Sequence, residues 1–461
     1  LGAGKVQRVK EKGMTLTDVL IDFSMISILL VAGAWLRRKI RFLQIYYIPV
    51  SLIAGILGLL LGPQILGKVS PVCFSFSSSI GQWAGVLSAI VFSCSFLGLK
   101  LEKVSGEAMQ TYFLAGTIHQ LQIIAGLTVT FILGLVFADL KFGFGILPVL
   151  GFYGGHSMAI AGGTIFDEAG YMASGAQVGA TFATIGLLTG VICGMFEINR
   201  AAQKGITKVK MKREEMPESM LTGYYPENER PSIGNAVTSS AAIDPLGAQV
   251  MLVGFIILCG HILRTGLIRI NPFFKNLPLF ACCLIFSAIF CVLTQKAKKV
   301  NDMIDRKTVV RISGSALEYM ITAALATTSI SVFTTYAVPR IVVGASVALV
   351  TWFASFVLSK WVLPKDDCFE TSVGLFGQCC GVLATGLLLL KVVDPDFQTN
   401  AATNITSSST LGYTYQLQYT LVFIALIMTQ PMFVYLWSWG LMLILLGAGM
   451  FFGKKYRKKA V

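Results

Sequence analysis

Long apolar runs separated by short polar stretches recur along the whole chain. A helix needs about 20 predominantly apolar residues to cross a bilayer. On that measure the first half predicts crossings at about Leu16–Trp35, Tyr46–Leu66, Gln82–Leu99, Tyr112–Phe137 and Val178–Ile198. The second half predicts them at about Gly247–Leu263, Leu277–Leu293, Ile312–Tyr336 and Ile341–Val362. Asp394–Gln416 is polar and rich in Ser, Thr and Asn, and is not among the predicted crossings. Tyr419–Phe452 is one apolar run too long for a single crossing, and Pro431 marks a turn between two spans.

Two segments break this pattern. Gly151–Gly170 holds six glycines, His156 and the adjacent carboxylates Asp167 and Glu168. Each interior glycine costs a helix roughly 1 kcal/mol relative to alanine. Broken backbone at membrane depth is tolerated only where it is buried in protein or lines a cavity. The segment therefore reads as a re-entrant hairpin or broken helix, about Pro148–Phe166, whose backbone groups meet a solute. The plainer alternative is a glycine-rich helix contact with a structural histidine. Gly374–Gly386, with Gln378, Cys379, Cys380 and Thr385, breaks the pattern in the same way. Each half thus reads as four spans, a Gly-rich broken segment and a fifth span. An odd number of crossings per half inserts the halves from opposite sides, the mark of an inverted repeat.

Composition agrees. Of 461 residues, 55% are hydrophobic and 13% charged, and the mean hydropathy is +0.72. This is an all-α polytopic membrane protein. The net charge of +14 does not indicate a nucleic-acid partner, because Lys and Arg sit in short clusters between apolar runs. That placement is the positive-inside pattern. It puts Arg37–Lys39, Lys100–Lys103, the 199–245 linker, Lys296–Arg311 and the basic C-terminus in the cytoplasm. Arg264, Arg269 and Lys275 are exceptions on the predicted outside. Prolines 217, 226 and 231 argue against a folded domain in the linker, which reads as mobile. Ten cysteines show no CxxC spacing, so neither a disulfide framework nor structural zinc is expected. Gly62–Val69 is a near miss to a phosphate loop, with Val69 where Ser or Thr is needed.

The chain accordingly divides into a possible leader or tag (1–13), a first repeat (14–198), the linker (199–245), a second repeat (246–436) and an extra C-terminal helix with a basic tail (437–461). His119, Gln120 and Gln122 are either interfacial or part of a polar pathway.

The chemistry of broken helices points to a solute site. N–H groups at half-helix starts attract carboxylates, and unwound carbonyls coordinate Na⁺. The candidate substrate residues are the backbones of Gly154, Gly155, Gly377 and Gly381, with Ser157, Gln378 and Thr385 as side-chain partners. His156 either binds a carboxylate when protonated or orients the hairpin when neutral. Asp167, Glu168 and Glu318 are candidate ion ligands, because carboxylates inside a membrane are costly. Alternatively, Asp167 and Glu168 lie in the aqueous turn after the hairpin, and Glu318 at the basic-loop interface.

Gly154-Gly155-His156 followed by small residues resembles the glutamate:sodium symporter family of bacterial secondary transporters. So do Asp305-Arg306 through Arg311-Ile312-Ser313-Gly314 to Glu318, and Ala384-Thr385 after a Gly-rich run. Ser157-Met158-Ala159 stands where the family usually has Gly-Thr-Ala, and no Pro follows Thr385. The resemblance covers most of residues 16–436. It implies Na⁺-coupled symport of glutamate or a related small organic anion, with Na⁺ as coupling ion and no cofactor. It also implies a homodimer in the cell inner membrane, working by an elevator in which a transport domain carries both hairpins past a scaffold. A cation/proton antiporter using Asp167 and Glu168 is the alternative. An embedded enzyme would need a catalytic triad or metal-ligand set, and none has usable spacing.

Overall fold

The computed structural model describes residues 15–45, 48–77, 80, 82–99, 105–206, 224–271, 277–327, 336–394, 399–418 and 423–457. The proposed leader, the loop at 100–104 and residues 207–223 of the linker lie outside the described residues. Every regular element described is helical. The principal helices are α1 (Leu16–Lys39), α2 (Val50–Leu61), α3 (Trp83–Ser93), α4 (Gly106–Gly134), α5 (Leu147–Phe152), α6 (Gly155–Glu168) and α7 (Gly175–Gln203). The second half holds α8 (Pro245–Ile270), α9 (Leu279–Lys296), α10 (Arg306–Ala326), α11 (Ala337–Phe353), α12 (Cys368–Cys380), α13 (Leu383–Val393), α14 (Ala401–Gln418) and α15 (Pro431–Arg457). Helix α11 continues through a π-helical turn, Ala354–Leu358, to Val362. Among the described residues, 8 helices are long and apolar enough to cross a membrane.

Local chemistry sets several boundaries. Thr15 and Asp18 form a capping box at the start of α1, and Arg37, Arg38 and Lys39 complement the dipole at its end. Ser105 caps α4 through Ala108 N at 3.0 Å. Asp244 caps α8 through Gly247 N at 2.7 Å, with Pro245 in the first turn. Pro431 begins α15, since it cannot continue a helix but suits its first residue.

Two sequence readings change here. From the Ser/Thr/Asn-rich stretch left out of the predicted crossings, residues 401–418 form α14. Two of its polar side chains bond to α4. Asn404 donates to Glu107 Oε2 at 3.1 Å, and Tyr415 Oη to Tyr112 O at 3.2 Å. Polarity alone therefore misread a helix whose partner is another helix. The linker also differs from a free tether in its described part. Tyr224 lies under Arg38 at 5.5 Å, and Asn235 N donates to Asp305 Oδ2 at 3.1 Å. Residues 224–244 thus run along the ends of α1 and α10.

The helices pack in two groups. In the first, α1 packs on α2, α2 and α3 on α10, α3 on α9, and α9 on α8. In the second, α4 gathers α11, α14 and α15, while α5 and α6 pack on α7 and α12 on α7 and α13. The long-range side-chain bonds follow the same division. Ser27 meets Tyr319 at 2.6 Å and Ser287 donates to Ser93 O at 2.8 Å in the first group. Gln122 donates to Thr351 Oγ1 and Cys379 O, both at 2.9 Å, in the second. Along the seam, Ile160 of α6 and Ala176 and Ala180 of α7 pack with Leu52, Ala84 and Met320. That surface is apolar, with alanines interleaved among Leu, Ile and Met.

Candidate functional site

Each half contains a helical hairpin with a sharp tip. In the first, the segment from Phe142 to α5 and helix α6 fold back on each other. Gly143 N donates to the Tyr171 hydroxyl at 3.0 Å, and Gly162 packs against Leu150. In the second, α12 and α13 fold back so that Gly386 lies against the carbonyl of Gly374. Only glycine permits backbones so close. The tips fall at Tyr153–Gly154 and Gly381–Val382.

The two tips meet, although they are more than two hundred residues apart in sequence. Gly155 has φ of +66°, a conformation that favours glycine. A Cβ built there would stand 2.7 Å from Val382 Cγ1 and 3.7 Å from Gly381 O.

Beside this junction is a cavity of about 410 Å³. Both tips line it, with Tyr153, Gly154 and Ser157 from the first and Gln378 and Val382 from the second. Ser313 of α10 and Ser409 of α14 add hydroxyls. Gln378 Oε1, the Tyr153 hydroxyl and the Ser409 hydroxyl are buried and make no hydrogen bond among the described residues. Buried polar atoms normally have partners, so three orphans around one cavity suit a polar ligand. Among the described lining residues only Arg306 carries a charge. Its Nη1 donates to Cys94 O at 2.7 Å and Leu97 O at 3.0 Å. In the sequence Arg306 is one of several basic residues between two apolar runs. Its available signal was its position directly after Asp305, the residue that caps α10.

The remaining candidates divide by location. His156 turns away from the cavity, and its Nε2 lies 3.1 Å from Thr184 Oγ1 of α7, the orienting arrangement. Gly377 packs against Gly386 and Thr385 O within the second hairpin, and Thr385 sits between Gly381 and Gly190. Asp167 accepts from Gly175 N at 2.6 Å and Ala176 N at 3.0 Å, which caps the start of α7. Glu168 is exposed beside it. These two carboxylates line a second cavity of about 790 Å³ with Arg264 and Gln82. Helices α3 and α6 run from one cavity to the other. Glu318 is exposed on α10 and lines neither cavity. His119, Gln120 and Gln122 are fully buried. His119 packs edge-on to Tyr153 at 4.7 Å, so these residues support the tips from behind and are not interfacial. Among the described residues no cluster suited to a metal of the His/Cys/carboxylate kind occurs.

A multi-pass helical membrane protein with two broken helices meeting at a polar cavity belongs to the transporter class. The sequence model of the family described as "Sodium/glutamate symporter" matches residues 16–399. The chain belongs to that family. Neither the curated proteins nor the solved structures contain a match to it.

Proposed function

We infer that the protein carries glutamate, or a closely related small amino-acid anion, together with Na⁺ across the plasma membrane. The observation that carries this reading is the meeting of both hairpin tips at one cavity with unsatisfied polar groups. The hydroxyls of Tyr153 and Ser409 and the backbone at Gly154–Gly155 suit carboxylate oxygens. The orphan Gln378 Oε1 suits an ammonium group or a cation. Tip carbonyls exposed by the breaks suit Na⁺.

The two helix groups suggest how the solute moves. The hairpins, with α4, α7, α11, α14 and α15, form the mobile body, and α1–α3 with α8–α10 form the scaffold. An apolar seam lets one body slide past the other without breaking many polar contacts. Packing of α1 on α2 parallels α8 on α9, and α2 on α10 parallels α9 on α3, as an inverted repeat requires. On this reading, with the basic loops inside, Arg306 and the 410 Å³ cavity lie at the cytoplasmic end and Arg264 and the larger cavity at the outer end. The hairpins are re-entrant from opposite sides. The family resemblance adds a homodimer.

Uptake of labelled glutamate into proteoliposomes tests the reading. An inward Na⁺ gradient should drive accumulation above equilibrium, and dissipating it should stop accumulation. Uptake indifferent to Na⁺ would refute the coupling, and absence of glutamate uptake with transport of another solute would refute the substrate.

A further inference from the structure

The tip residues that line the cavity are neutral, whereas the proposed substrate is an anion. The compensating charge comes from Arg306, which belongs to the other body. It stands at the first turn of α10, and its Nη1 is tied to the carbonyls of Cys94 and Leu97 at the end of α3, at 2.7 and 3.0 Å. Both partners belong to the scaffold. Among the described residues its guanidinium pairs with no carboxylate. The neighbouring Asp305 is occupied, accepting from Thr308 Oγ1 at 2.6 Å and from Asn235 N at 3.1 Å. A guanidinium has five N–H donors in a rigid fork. With one nitrogen anchored, Nε and Nη2 remain for a ligand in the cavity, held at a set orientation.

We propose that Arg306 is a one-sided substrate residue: it binds the anion's carboxylate only while the hairpin tips face the cytoplasm, and it stays behind when they move. This rests on the two-body reading above. Its consequence is an affinity difference between the two faces of the membrane. The carried site holds the anion through neutral donors and Na⁺, while the cytoplasmic vestibule adds a fixed cation. The arginine draws anions into the inner vestibule and sets their half-saturating concentration there. From the outside the tips load without it.

The test compares wild type, Arg306→Gln and Arg306→Lys in right-side-out and inside-out vesicles at saturating Na⁺. For Arg306→Gln the half-saturating glutamate concentration should rise about tenfold or more at the cytoplasmic face, the range a charge-assisted hydrogen bond is worth. At the outer face it should stay unchanged. Arg306→Lys keeps the charge but loses the fork, so its cytoplasmic shift should be smaller. Equal shifts at both faces would overturn the proposal, since the arginine would then belong to the carried site. No shift at either face would overturn it as well. Loss of Na⁺-driven uptake by wild-type protein would instead refute the underlying function.

A second readout needs no transport. Ser313→Cys places a thiol on the same cavity wall as Arg306, about two turns further along α10. From the cytoplasmic side an anionic thiosulfonate should modify it faster, relative to a cationic one, than in the Ser313→Cys/Arg306→Gln double variant. An unchanged ratio would show that Arg306 does not govern the charge of the vestibule.

Discussion

Gly155→Ala tests the contact between the hairpin tips. Two costs apply at this position. An L-residue in the left-handed region costs roughly 1–2 kcal/mol. The new methyl would also stand 2.7 Å from Val382 Cγ1, closer than carbon atoms approach, and such overpacking costs about 1–3 kcal/mol. Gly170→Ala separates the two. Gly170 has φ of +62° and nothing within 4 Å of its built Cβ, so it carries the backbone cost alone. The excess of Gly155→Ala over Gly170→Ala therefore measures the tip contact. Val382→Ala in the Gly155→Ala background removes the obstructing methyl and should return most of that excess. The assay is thermal unfolding in detergent, with the initial rate of Na⁺-driven glutamate uptake. Gly155→Ala should lower the melting temperature more than Gly170→Ala and slow uptake strongly, and the double variant should recover part of both. Equal effects of the two glycine substitutions, or no recovery with Val382→Ala, would show that the tips do not touch.

Other perturbations follow from the same geometry. Gln378→Leu removes the orphan Oε1 and should raise the half-saturating glutamate concentration about tenfold, as the loss of a hydrogen bond to a charged group does, with little change in melting temperature. Gln122→Leu strands Cys379 O in the interior, while Thr351 Oγ1 keeps its bond to Val347 O, and should cost about 1–3 kcal/mol of stability, read as a lower melting temperature. Asp167→Asn keeps one acceptor for the start of α7, so a modest loss of about 1 kcal/mol is expected, with Na⁺ dependence of uptake retained. Burial pushes the pKa of Asp305 up, but donation from the Thr308 hydroxyl, Thr308 N and Asn235 outweighs it, and its pKa lies below the ordinary value. Its stabilisation is therefore complete above the usual aspartate range and is lost as pH falls through the lowered value. The melting-temperature gap between wild type and Asp305→Asn should be wide at neutral pH and close in acid.

Hydrophobic periodicity located most of the membrane helices, because a bilayer demands a long apolar run whatever surrounds it. It overestimated α3, whose apolar sequence continues into turns past Ser93. It missed α14, where Asn404 and Tyr415 pair with other helices and need no apolar surface. The glycine clusters were legible as breaks because a helix rarely accepts them. Their meeting was not, since nothing local in Gly155 or Val382 specifies a neighbour so distant in sequence. Asp167 and Glu168 drew attention as carboxylates in an apolar setting. Which of them was sheltered, and that Asp167 caps α7, depended on where α6 ends relative to Gly175.

By itself the sequence determined a multi-pass helical membrane protein, its two broken segments and its resemblance to sodium/glutamate symporters. Each of these follows from local composition: apolar length, glycine content and short motifs. The tertiary structure alone decided that the broken segments share a cavity, that Gln378 faces it while His156 turns to Thr184, and that Arg306 supplies its charge. Those relations depend on packing between helices distant in the chain, and a side chain's direction is set by the surface its helix buries.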